Sequence, residues 1–221
     1  MTATEHHIET RKTARFYSLG SFTDKPKHIW IVAHGYMQLG SDFIKLFEPI
    51  VDSDTLIIAP EGFSRFYTRG FGGNIGASWM TKEDRLNEIS DYVIYLDNVL
   101  ASVITALDSP IKRLSLLGFS QGCPTVMRWA ALGNINPDEV VLWCGDAPTD
   151  LDFMRYSDKM QNKTTWFVSG NNDAIIPKTT HEMSVKLLTD KGLPTETIFF
   201  DGGHEVPSNT LKEFKLRLIG K

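Results

Sequence analysis

The sequence predicts an α/β protein with a mostly parallel central sheet and helices on both faces. Three observations predict it. Short apolar or β-branched runs alternate with stretches of helical periodicity for most of the chain, which implies right-handed crossovers and a covered parallel sheet. Two of the runs, Ile29-Trp30-Ile31-Val32-Ala33 and Leu56-Ile57-Ile58-Ala59, are continuously apolar, as strands buried on both faces are. A length of 221 residues, 42% hydrophobic and 23% charged, suits one domain, residues 1–221, of ordinary globular composition.

About eight strands are expected. His6–Lys12 and Ala14–Leu19 read as an N-terminal antiparallel hairpin. Ile29–Ala33, Thr55–Ala59, Arg113–Gly118, Glu139–Cys144, Thr165–Ser169 and Thr197–Phe200 follow as sheet strands separated by helical segments. The clearest helix starts at Thr81, where Thr81-Lys82-Glu83-Asp84 is a variant capping box, and runs to about Leu107. Along it Leu86, Ile89, Val93, Leu96, Leu100, Val103 and Leu107 recur at three- and four-residue steps, one stripe facing the sheet. Asp108-Ser109-Pro110 stops it. Further helices are expected over Asp42–Val51, from Val126 to Leu132, and over Leu151–Met160, Thr180–Asp190 and Asn209–Ile219. Residues 60–80, rich in glycine and aromatics without periodicity, read as a long irregular loop of the kind that lines an active-site mouth.

The chemistry centres on Gly118-Phe119-Ser120-Gln121-Gly122, which lies between the apolar run Leu114-Ser115-Leu116-Leu117 and a helix. A serine at a sharp strand-to-helix turn with glycines two residues either side is the nucleophile elbow of a serine hydrolase. The glycines are there because the serine backbone is strained and a Cβ at either position would strike the strand or the helix. Three fixed positions match by chance in roughly one chain of this length in 10 to 20, so the neighbouring strands must supply an acid and a histidine, in that order.

Both arrive beyond a strand. Thr165–Ser169 leads into Gly170-Asn171-Asn172-Asp173-Ala174-Ile175-Ile176-Pro177, which offers Asp173 as the acid. Thr197–Phe200 leads into Asp201-Gly202-Gly203-His204-Glu205-Val206-Pro207, whose two glycines allow His204 to turn back over the elbow. Asp146, after Cys144-Gly145, is the fallback acid, and Asp201 is too close in sequence to His204 for an easy in-line contact. The other histidines fit worse: His6 and His7 fall in the terminal hairpin, His28 before a strand and His181 on a helix surface. His34-Gly35-Tyr36-Met37-Gln38 follows an early strand, where a second oxyanion donor is needed. There Gly35 lets the Tyr36 amide turn inward opposite the Gln121 amide, and His34 fixes the loop by hydrogen bonding.

On these segments the chain resembles the α/β-hydrolase superfamily, and within it the compact phospholipase/carboxylesterase family that includes the acyl-protein thioesterases. The resemblance implies the α/β-hydrolase fold, with Ser120 as nucleophile, Asp173 as acid, His204 as base, and Tyr36 and Gln121 as backbone oxyanion donors. It implies hydrolysis of carboxylic esters with small or medium acyl chains through an acyl-enzyme. An acyl thioesterase or lysophospholipase is the alternative, ahead of a peptidase or a catalytically dead binding module. Phe63, Phe66, Tyr67, Phe71 and Trp79 are candidates for substrate contact, against the plainer reading that such aromatics cover the sheet.

The remaining expectations follow from what the composition disfavours. A formal charge of −4 without a basic cluster argues against a nucleic-acid partner, leaving a small-molecule ester as the expected one. No apolar run reaches the roughly 18 residues that span a bilayer, and Met1 to Lys12 lacks the apolar core of a secretory signal. The two cysteines, Cys123 and Cys144, make no disulfide framework, so a reducing cytoplasm is expected. Neither stands at zinc spacing from a histidine, so no metal is expected, and the proposed chemistry needs no cofactor.

Overall fold

The computed structural model describes residues 2–107 and 109–220. Among them, seven strands form one sheet in the order β1-β3-β2-β6-β7-β8-β9: β1 Phe16–Leu19, β2 His28–Ala33, β3 Thr55–Pro60, β6 Arg113–Phe119, β7 Glu139–Trp143, β8 Thr164–Gly170 and β9 Thr195–Phe200. Only β1 runs antiparallel. A separate two-stranded hairpin joins β4 Ser64–Arg69 to β5 Gly72–Ser78.

Every residue of β2 and β3 is buried, and alternate side chains feed two cores. Ile29, Ile31 and Ala33 point to one face, Trp30 and Val32 to the other. The first face is covered by α2 Arg85–Ala106, α3 Gly122–Leu132 and α4 Phe153–Met160, with Leu188 of α5 Lys178–Thr189. The second is covered by α1 Gly40–Phe43, a 3-10 helix over Ile44–Ile50 and α6 Ser208–Ile219. Lys215 of α6 fastens that second layer, its buried ammonium donating to Ile50 O at 2.6 Å, Asp52 Oδ2 at 2.5 Å and Thr55 Oγ1 at 2.8 Å.

Sheet order fixes where a site can form. From β2 the chain steps outward to β3, then returns to place β6 on β2's other side. Such a reversal opens a crevice at the carboxyl ends of the two strands. The register Ala33↔Gly118 sets the loops after β2 and β6 side by side in it.

Several expectations need correction. Residues 6–12 form no strand, and the antiparallel partner of the N-terminal strand is β3. The long helix begins at Arg85: Asp84 is left-handed at φ 46°, and Thr81 bonds the Glu88 carboxylate instead of closing a capping box. Leu86 is exposed, while Tyr92, Tyr95 and Val99 join the buried stripe. Asp108, first of the stop residues, lies outside the described residues. Helix α2 is long and apolar enough to cross a bilayer by length and composition, but Ile89, Tyr92, Val93, Leu96 and Leu100 are packed into the core, which accounts for its apolarity. The expected Asp42–Val51 helix is split into α1 and the 3-10 turn, with Pro49 in the latter.

Residues 60–80 are not irregular. Side chains of β4 alternate between half-buried and exposed, and Gly70-Phe71 closes a two-residue turn with Gly70 at φ 55°, the glycine-first geometry that matches strand twist.

Candidate active site

Ser120 directly follows β6, at φ 52°. A left-handed serine between a parallel strand and a helix can persist only where the surroundings over-determine it. They do so by close approach: a Cβ on Gly118 would lie 2.2 Å from Gly122 O, and one on Gly122 would lie 2.2 Å from Ala33 O. The Ser120 amide donates to Trp143 O at 3.0 Å, tying the turn to the end of β7.

Asp173 and His204 come from the loops beyond adjacent strands β8 and β9. Backbone bonds stitch those loops together, Asn171 N to Phe200 O and Asn172 N to Gly202 O, both at 2.9 Å. The Asp173 Oδ2 atom is 2.9 Å from His204 Nδ1, with the two side chains only 2% and 14% exposed. Burial by itself would raise the Asp173 carboxyl. Hydrogen bonds from Ile176 N, His204 and Ile175 N outweigh it and hold the group below the usual carboxylate range. The His204 ring packs 4.8 Å from the Phe119 ring, centroid to centroid, beside the elbow. Among the described residues Ser120 Oγ makes no hydrogen bond to His204; such bonds are commonly long without substrate.

The rival acids are elsewhere. Asp146 lines a cavity of about 450 Å³ with Arg85, Arg128 and Asp150, and Asp201 meets Asn172 at 3.4 Å. His181, expected on a helix surface, is instead 3% exposed, with Nδ1 2.8 Å from Ser169 Oγ, and burial lowers its pKa. Helix α5 turns that face onto β8, which helical periodicity alone did not reveal. His28 lies within β2, buried against Ser115, and His6 and His7 are exposed.

The loop after β2 is held by side chains. The His34 Nε2 accepts from Gly62 N at 3.0 Å, so Nδ1 carries the proton and donates to Gly35 O at 2.7 Å. Burial depresses the His34 pKa, which keeps the ring neutral. Gln38 Oε1 accepts the Gly35 amide at 2.7 Å, leaving the Tyr36 amide as the next donor in line. Neither the Tyr36 nor the Gln121 amide has an acceptor among the described residues. A Cβ on Gly35 would sit 3.2 Å from Ser120 Cβ, so this backbone touches the elbow. The Gln121 side chain reaches the other way, its Oε1 accepting Trp79 N at 3.2 Å and its Nε2 donating to Met80 O at 2.9 Å.

The five aromatics are spread out. Phe66 stacks on Tyr36 at 5.3 Å, Phe63 packs on Tyr95, Tyr67 is exposed, and Phe71 stands at the hairpin tip. Trp79, 2% exposed, lies under His34 and donates Nε1 to its carbonyl at 2.8 Å, so it holds the loop.

Three residues at or near the site went unassigned in the sequence. Gln38 and Glu61 fix the loops; Glu61 is buried and accepts from Arg15, Gly40 N and Arg65. Gln38 stands three residues after Gly35, a usable turn signal, whereas Glu61 draws its partners from three separate segments. Cys144 is buried at φ 48°, and burial, with the Asp173 charge nearby, pushes its thiol up to about 12.

A left-handed serine at the carboxyl edge of a parallel sheet, with an aspartate–histidine pair in the loops after β8 and β9, is the arrangement expected of a serine hydrolase of the α/β-hydrolase fold. The chain belongs to the serine hydrolase (FSH1) family, whose model matches residues 71–215. That span contains Ser120, Asp173 and His204 but not the loop after β2. No curated protein matches the chain by sequence. Among solved structures it is similar to Zea mays acyl-protein thioesterase 2 (18% identity, TM-score 0.71, covering 94% of this chain and 99% of that one). It is similar also to esterase PE8 (20%, 0.69, 95% and 99%) and to a Bacillus cereus carboxylesterase (17%, 0.65, 94% and 94%). The expected α/β-hydrolase fold agrees with these structures, and by its family the protein is a hydrolase.

Proposed function

We propose that the protein hydrolyses carboxylic esters of small or medium acyl chains through an acyl-enzyme on Ser120. The observation that carries this reading is the half-buried Asp173–His204 pair at 2.9 Å, set beside a left-handed Ser120. His204 takes the Ser120 proton as Oγ attacks the ester carbonyl, then returns it to the leaving alcohol. Water repeats the cycle to release the acid. Asp173 keeps the proton on Nδ1, so that Nε2 is the basic nitrogen, and stabilises the imidazolium once formed. The Tyr36 and Gln121 amides receive the oxyanion; losing one such donor typically costs about 3 to 4 kcal/mol in the transition state.

The acyl chain would lie in a groove of about 600 Å³ whose apolar lining is Met37, Leu39, Phe43, Leu46 and Ile75, with Gln38, Asp42 and Asn74 also on its wall; it opens one residue beyond Tyr36. Thioesters of the same acyl groups are the second reading, supported by the fold shared with the Zea mays thioesterase. A single small-molecule-binding domain working in the cytoplasm, without metal or cofactor, accords with this chemistry.

The test is Ser120→Ala with a short p-nitrophenyl ester. The expected result is a rate lower by several orders of magnitude in a protein that still unfolds cooperatively; retention of more than about a tenth of the rate overturns the assignment. In parallel, a fluorophosphonate probe is expected to label Ser120, and His204→Ala to block labelling.

A further inference from the structure

Cys144 stands beside the acid–base pair, and the proposed reaction gives it no task. The end of β7 delivers it: its amide donates to Val168 O at 2.8 Å, and its side chain is fully buried. The sulfur faces the backbone on either side of His204, 3.7 Å from Gly203 O and 3.6 Å from Glu205 O. Thiols are weak donors, so little free energy holds it there. Its Sγ, a carboxylate oxygen of Asp173 and a ring nitrogen of His204 all lie within 4.8 Å of one another.

A thiol, an imidazole and a carboxylate are the donor set of borderline-soft divalent cations. Bond lengths of about 2.0–2.3 Å in a tetrahedral site place ligand atoms roughly 3.3–3.8 Å apart. Closing to that spacing takes movements on the order of 1 Å. The residues stand far apart in sequence, which is why no zinc spacing is visible there.

We propose that Cys144, Asp173 and His204 form an inhibitory site for zinc or cadmium. The inference rests on the proposed role of His204 as base. On binding, the thiol proton leaves to solvent, and thiolate plus carboxylate balance the two positive charges. The metal takes the place of the Nδ1 proton that faces Asp173, and the imidazole carries its proton on Nε2 instead. That nitrogen can then no longer accept the Ser120 proton, so the metal-bound enzyme is silent. Magnesium and calcium, which prefer oxygen ligands, leave the enzyme active.

The experiment titrates the intact protein with cadmium, following thiolate-to-cadmium charge-transfer absorption in the ultraviolet alongside ester hydrolysis. Expected are absorption saturating at one equivalent, loss of activity over the same concentrations, and reversal of both by a chelator. Cys144→Ser is expected to hydrolyse ester normally, to lose the absorption and to need about tenfold or more cadmium for inhibition. Cys144→Ala is a second variant with the same expectation. The proposal is overturned by absent absorption, by absorption without inhibition, or by unchanged sensitivity of a folded Cys144 variant. If ester hydrolysis itself is missing, the absorption still decides whether the metal site exists.

Discussion

Ser120 gains nothing locally from φ 52°, so its neighbours must hold it there. Gly122 does so by letting helix α3 approach the end of β2, its α-carbon facing Ala33 O and His34 O. Gly122→Ala would force that carbonyl pair outward and shift the loop carrying the Tyr36 amide. We expect a stability loss of about 1–3 kcal/mol, read from the urea midpoint, and a larger relative loss of kcat than of stability. Glu139 gives the residue scale its pH dependence. Burial alone would raise its carboxyl, but His28 close by at 3.6 Å and hydrogen bonds from Arg113 and Ser115 outweigh burial and hold it below the usual range. A depressed folded-state pKa contributes stability that is full above the ordinary carboxylate value and is lost as pH falls through the folded one. The urea-midpoint gap between wild type and Glu139→Gln should therefore be widest near neutral pH and close on acidification. A gap that widens in acid would contradict this.

The β4–β5 hairpin is the element with most influence on substrate. It meets the loop after β2 backbone to backbone, Met37 N donating to Ala77 O at 3.0 Å and Ala77 N to Gln38 O at 3.2 Å. That pairing brings Ile75 into the same groove as Leu39 and Leu46. Placing a charge there with Ile75→Asp would deny contact to two or three methylenes at about 0.8 kcal/mol each, a loss of roughly 30-fold in kcat/KM. We expect that loss for an octanoyl ester and almost none for an acetyl ester; equal losses for both would place the acyl chain elsewhere. The hairpin was not legible in the sequence as a strand pair because the half-buried face of β4 is Ser64, Phe66 and Thr68 and the buried end of β5 is Gly76, Ala77 and Ser78, so no hydrophobic alternation marks them. The Gly70-Phe71 turn was the available signal. Helix α2, by contrast, was legible because its buried stripe repeats for six turns, although its start was misplaced where Asp84 took a left-handed backbone.

At the scale of the whole molecule, the proposed site was legible because a parallel sheet imposes order. Any loop beyond a strand's carboxyl end opens on the same edge, so strand, glycine and polar residue in succession name the candidates. Side chains that steady those loops were not legible, since Glu61 finds its partners only once distant segments are adjacent. Lys215 is of the same kind: periodicity placed it on a helix, and only the assembled layers bring it to Ile50 O, Asp52 and Thr55. Lys215→Met should leave buried acceptors unpaired and lower stability by about 1–3 kcal/mol, measured by urea denaturation. The clasp has a consequence in time. It joins positions 165 residues apart, and the part of the face where Phe214 of α6 packs on Trp30, Trp143 and Trp166 lacks its helix while ribosomes are still making the stretch between. Folding is thus obliged to wait on one late closure, and until α6 arrives the half-built sheet presents its stickiest surface to other chains and to chaperones.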